Sequence, residues 1–147
     1  MIRVASFAEL DPIELYRILA LRASVFAVEQ QAIYNDLDGR DLEAVFVWFE
    51  EGDGDDEHRV VSALRLLVEP DGSRVLGRVA TSPAARGRGI AGSLIDRALA
   101  LVPPGASVSI NAQARLEPWY ARWGFRRSGP DNYEDGIRHV PMTRPGP

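Results

Sequence analysis

The chain has 147 residues, 46% of them hydrophobic and 26% charged, with no cysteine and a formal net charge of -4 at pH 7. That length and balance predict one globular domain over residues 1–147 with its own core, and exclude a disordered or membrane-embedded chain. The acidic balance excludes a coat of nucleic acid, which needs a basic face to release counterions, and the absent thiols exclude disulfides, thiolate zinc sites and a cysteine nucleophile.

The N-terminal MIRVASFAEL lacks a charged segment followed by a long apolar run, and no stretch approaches the roughly 20 apolar residues of a membrane span. The expectation is a cytoplasmic protein with neither a membrane nor a nucleic-acid partner. Asp11-Pro12-Ile13-Glu14 then predicts a helix start, with Asp11 as cap, Pro12 in the first turn and Glu14 reaching back to the cap. A helix of about four turns follows, its apolar stripe formed by Leu15, Ile18, Leu19, Val25 and Phe26. Arg22 interrupts that stripe. It either pairs with a buried carboxylate or points into a cleft.

After Phe26 the helical pattern stops. Glu29, Gln30, Gln31, Tyr34, Asn35, Asp36, Asp38 and Asp41 crowd into a segment too polar for core, either a solvated loop or the wall of a polar pocket over a sheet. Ala44 to Phe49 reads as a buried strand. Glu51 to Glu57 reads as a solvated acidic turn, and His58 beside it as exposed. Val60 to Val68 is the next strand, and Pro70-Asp71-Gly72 turns it into a hairpin with the strand through Leu76 and Val79.

Arg86-Gly87-Arg88-Gly89-Ile90-Ala91 follows, at the mouth of a helix that carries Ile90, Leu94, Ile95, Ala98, Leu101 and Val102 on one side. Unpaired amides, the helix dipole and two guanidinium groups make this turn an anion site suited to phosphate. Gly87, Gly89 and Gly92 also spell G-x-G-x-x-G. The dinucleotide reading fails because no acid ends the strand Ser107 to Ala112, and no Lys-Ser/Thr pair makes a Walker loop. Strand, glycine turn, helix and strand form a crossover, which implies locally parallel strands. Leu116 to Trp123 predicts a short helix closed by Gly124. Phe125 to Ser128 and His139 to Met142 read as strands, the second after the turn Glu134-Asp135-Gly136. The whole is one mixed α/β domain.

The stretch Arg86 to Ala91 resembles the R/Q-x-x-G-x-G/A signature of the GNAT N-acyltransferases. Leu21 to Gln30, Asp36 to Asp41, Gly77 to Ala80, Asn111 to Ala114, Tyr120, Gly124, Phe125 and the tail Tyr133-x-Glu-Asp-Gly-Ile-x-His139 together resemble the ElaA-like branch of that superfamily. Two positions depart from it: Arg115, where the branch commonly has histidine, and Arg138, where it commonly has proline. The resemblance implies an α+β fold with a mostly antiparallel sheet, splayed between parallel strands at Leu76–Ala80 and Val108–Ala112. Acetyl-CoA would lie in the gap as co-substrate, with no metal. Arg86, Gly87, Arg88, Gly89, Ile90 and Ala91 would hold its pyrophosphate, and Val79, Ala80 and Thr81 would pair with its pantetheine and stabilise an oxyanion. Tyr120 would protonate the leaving thiolate.

The base that frees the amine is open among Glu29, Glu117, Glu134 and His139. The acceptor pocket is expected from Arg22, Glu29, Gln30, Asp38, Gln113 and His139, whose carboxylates suit a cationic small-molecule or peptide amine. A homodimer stays open. Arg22-x-x-Val25-Phe26 with Glu29 also resembles the start of acyl-homoserine-lactone synthases, which are usually longer. A non-catalytic acyl-CoA-binding regulator is the alternative of a different class, and it would have no need of Tyr120.

Overall fold

In the computed structural model, which describes residues 1–31, 35–52 and 58–146, the first helix begins where Asp11 and Pro12 place it. Asp11 Oδ1 accepts from the amides of Ile13 and Glu14 at 2.9 and 2.8 Å, while Glu14 accepts from the Asp11 amide at 3.2 Å. Helix α1 spans Pro12–Arg22 and continues as a π-wound segment, Ala23–Glu29. The apolar stripe fails after Phe26 without the helix ending there, because i→i+5 winding rotates each later side chain off the 3.6-residue pattern. Tyr34 and residues 53–57 of the acidic turn lie outside the described residues.

The other elements are β1 (Ile2–Ser6), β2 (Val45–Glu51), β3 (Arg59–Val68), β4 (Arg74–Thr81), α2 (Ile90–Ala100), β5 (Val108–Gln113), α3 (Glu117–Ala121), β6 (Arg126–Arg127), β7 (Asn132–Glu134) and β8 (Ile137–Arg144). One sheet runs β1-β2-β3-β4-β5-β8-β6, with β7 paired to β8. Its pairs are antiparallel except β4 with β5, the crossover that straddles α2. This is the mostly antiparallel sheet with one parallel pair that the resemblance implies.

Helices cover both faces of the sheet. Alternation along β2 sends Val47 toward Leu94, Ile95, Phe125 and Met142, and sends Phe46 and Trp48 toward Ile18 and Leu21. β3 lies between the two cores and is buried from Val60 to Leu67, which explains its continuous apolar run. Leu101 falls beyond the end of α2 and is 37% exposed, so it leaves the stripe expected for that helix. No helix among the described residues is long and apolar enough to cross a membrane.

Candidate active site

The parallel pair is short. Only Arg74 with Val108 and Val75 with Ser109 are in register, so the edge of β4 that faces β5 has no strand partner beyond Val75. On its other edge β4 carries a bulge: Gly77 opposes Arg65 and Ala80 opposes Ala63, leaving Arg78 and Val79 against Leu64 alone. Arg78 takes φ +51°, unusual for a residue with a Cβ. A bulge bends its strand, and here it turns β4 away from β5. The two strands part around a cavity of about 530 Å³.

An ion-pair network holds this bend. Arg22 Nε donates to Asp36 Oδ2 at 2.8 Å, and its Nη1 and Nη2 donate to Asp41 at 2.7 and 3.1 Å. Arg65, on β3, donates to both oxygens of Asp38 at 2.8 and 2.6 Å and to Asp41 at 3.1 Å. The bulge residue Arg78 lies 2.9 Å from Asp36 Oδ1 and donates to Asp38 at 3.4 Å. Hydrogen bonds from Arg65 pull the Asp38 carboxyl well below its usual range, and the Arg40 amide and the Arg78 charge add to this. Expected in the acceptor pocket, Arg22 and Asp38 instead belong to this scaffold, and neither lines the cavity. Arg22 is buried, its side chain 1% exposed with Asp36 and Asp41 folded onto it, and Asp38 is drawn to Arg65 and Arg78.

The cavity does gather most of the other expected residues. Val79, Ala80 and Thr81 form one wall, and Gln113 and His139 the other. Glu29 and Gln30 close it from the π-wound segment, a winding often found at functional sites. Tyr120 reaches it from α3, buried at 6% exposure and packed edge-on to Trp119 and Phe125 at 4.9 and 6.1 Å. Its hydroxyl has no hydrogen-bond partner among the described residues. Burial pushes the phenol up to about 12, opposed in part by Arg115, so it stays protonated at neutral pH.

A second recess of about 470 Å³ adjoins the first, sharing Thr81, Arg86, Ala91 and Trp119 with it. Gly87, Gly89 and Ile90 line it. Gly87 and Gly89 hold φ +78° and +76°, and a Cβ built on either would meet nothing within 4 Å, so the turn presents open backbone. Gly89 caps α2 without a side-chain cap, which leaves the first-turn amides of an 11-residue helix facing outward. Arg86 lies between the recesses. Its Nε donates to the Thr81 carbonyl at 3.1 Å and its Nη1 and Nη2 each donate to Glu29 at 2.5 Å, which lowers the Glu29 carboxyl below its ordinary range. A guanidinium has five N–H donors, so two are left for an anion. Arg88 lines neither recess and pairs with Glu51.

The opposite wall holds a group that residue spacing alone did not bring together. Asn111 Nδ2 donates to Glu134 Oε1 at 2.7 Å and to Asn132 at 2.8 Å, and Asn132 Nδ2 donates back to Asn111 at 3.0 Å. The other oxygen of Glu134 lies 3.8 Å from His139 Nε2, and His139 Nδ1 is 2.8 Å from the carbonyl of Ile137. Arg115 donates to Gln113 at 3.2 Å. Glu117 lies off the cavity and accepts from Arg127 at 3.1 Å. His58 is partly exposed, 4.0 Å from Glu50.

With this geometry in place, the comparisons with known proteins agree. A family model described as an acetyltransferase (GNAT) domain matches residues 22–144. A UPF0039 protein of Mycobacterium tuberculosis is 44% identical over 143 residues, covering 94% of this chain and 88% of that protein. Two solved structures superpose closely. Escherichia coli ElaA does so with a TM-score of 0.86 at 32% identity, over 98% of each chain. An acyl-CoA N-acyltransferase from Pseudomonas aeruginosa reaches 0.84 at 34%, over 98% of this chain and 99% of that one.

Proposed function

Because the chain belongs to the GNAT acetyltransferase family, we propose that it is an N-acetyltransferase that moves the acetyl group of acetyl-CoA onto a primary amine. The observation that carries this reading is the continuity of the site. A strand edge without a partner, beyond Val75, leads from Tyr120 at the cavity to an open glycine turn at an uncapped helix.

The residues present fit an extended, phosphate-bearing thioester. The amides of Gly87 to Ala91 and the two remaining donors of Arg86 suit a pyrophosphate. The free edge of β4 at Val79 to Thr81 suits a pantetheine amide, bound as a further strand. Bound there, acetyl-CoA supplies an activated acyl carbon. A backbone N–H on the free edge of β4 stabilises charge developing on the acyl oxygen. Tyr120 gives its proton to the departing sulfur, a role for which a phenol held neutral by burial is suited.

The acceptor enters from the side of Gln30, Gln113, Glu134 and His139. Glu29 lines the same cavity, but its carboxylate is taken by Arg86, so Glu134 and Asp135 are the carboxylates that favour a cationic amine. A thiol-release screen with acetyl-CoA over polyamines, aminoglycosides, amino acids and peptides tests the reading. Turnover of at least one amine is expected. CoA binding without release on any of them would favour a non-catalytic regulator.

A further inference from the structure

The enzyme reading leaves one proton without a destination. An alkyl amine is almost wholly ammonium at neutral pH, and its nitrogen cannot attack until a proton leaves. We propose, resting on that reading, that His139 is the catalytic base, taking the proton on Nε2 and passing it to solvent through Glu134.

The tautomer follows from the backbone. His139 Nδ1 is 2.8 Å from the Ile137 carbonyl, which can only accept, so Nδ1 carries the hydrogen. The neutral ring therefore keeps its lone pair on Nε2. That ring is buried at 7% exposure and lines the cavity, on β8 opposite Gln113 of β5. Once protonated, Nε2 faces Glu134 Oε2 at 3.8 Å, and Asn111 holds the other Glu134 oxygen at 2.7 Å. The imidazolium then has the Ile137 carbonyl as acceptor at Nδ1 and the Glu134 carboxylate at ion-pair distance from Nε2. The Glu134 side chain is 45% exposed, which gives the proton a way out.

Apart from Asp135, the other charged groups around the cavity do not compete for this role. Arg115 is a cation, Glu29 is bound twice to Arg86, and Tyr120 is held protonated. Asp135 sits in the turn between β7 and β8 and lines the same mouth. On the strand itself, the neighbouring Arg138 lies 3.6 Å from Asp131.

The steps balance. The ammonium gives one proton to Nε2, and the freed nitrogen bonds to the acyl carbon. The C–S bond breaks, and the thiolate takes the Tyr120 proton. The proton still on the attacking nitrogen returns to the tyrosinate. Amide, thiol and one solvent proton result.

The test uses His139→Asn, whose amide keeps a donor near the Nδ1 position while removing the base. Probes are benzylamine, an ammonium ion at neutral pH, and aniline, whose nitrogen is already free. For benzylamine, kcat/KM should fall by about 10²-fold or more, while aniline stays within about threefold and acetyl-CoA affinity is kept. Equal losses for both amines would mean a structural role, and no loss for either would remove the base; each overturns the proposal. Turnover of neither amine by the wild type, together with thiol release on none of the amines of the screen above, would count against the enzyme reading itself. The dyad is then decided by ¹⁵N NMR of the full chain, which has two histidines, with His58→Gln assigning them. The Nδ1–H tautomer is expected at neutral pH, and an Nε2–H tautomer would overturn the proposal.

Discussion

At the scale of single residues, the structure separates groups that line the cavity from groups that hold its walls. Tyr120 keeps a protonated phenol at the cavity because burial pushes its ionisation up to about 12. Tyr120→Phe should therefore lower kcat by about 10²- to 10⁴-fold and leave the KM for acetyl-CoA unchanged, as steady-state kinetics would reveal. In the wild type, activity should not fall as pH rises through 10, the value of an ordinary tyrosine, because the phenol stays protonated there. Tyr120 was legible from the sequence through the resemblance, as was Arg86. Pairing with a buried carboxylate was one of the two readings open for Arg22, and the structure bears it out; that Asp36 and Asp41 supply the carboxylates and that Asp38 goes to Arg65 was not legible from spacing. Nor can it show that Glu29 closes on Arg86, since 57 positions separate them.

At the scale of elements, the bulge in β4 and the arginine-aspartate network form one device. Arg78 holds a left-handed backbone within that network, so the splay of β4 from β5 depends on the loop from Asp36 to Asp41. Arg22→Leu takes one of two cations from each of two largely buried carboxylates, Asp41 keeping Arg65 and Asp36 keeping Arg78, and should cost up to about 3 kcal/mol by urea unfolding. The network also sets an acid limit. Asp38 ionises at lower pH in the folded chain than in the unfolded one, so its contribution is present above the ordinary carboxylate value, about 3.9, and fades as pH falls below it. Urea titrations at stepped pH should show stability dropping there, and a shallower drop in Asp38→Asn. The hairpin of β3 and β4 and the crossover through α2 were legible because turn residues and apolar periods mark them. The π-wound segment was not, because its winding breaks the period that identifies a helix, and β1 was missed because IRVAS is partly buried along its length with no clean alternation.

At the scale of the whole molecule, two cores sandwich a sheet that opens at one place only among the described residues, between its parallel strands. The glycine turn located the opening, and the direction of opening came from backbone geometry that no residue count carries. The same turn rests on Gly89 at φ +76°, where a side chain costs roughly 1–2 kcal/mol of backbone strain. The most direct measurement is therefore calorimetric binding of acetyl-CoA to the wild type, to Arg86→Ala and to Gly89→Asp, with circular dichroism confirming that each variant is folded. The wild type should bind saturably with a stoichiometry of one per chain, and each substitution should weaken binding by about tenfold or more. Wild-type binding that neither substitution changes, or no binding at all, would contradict the assignment of this cleft to acetyl-CoA.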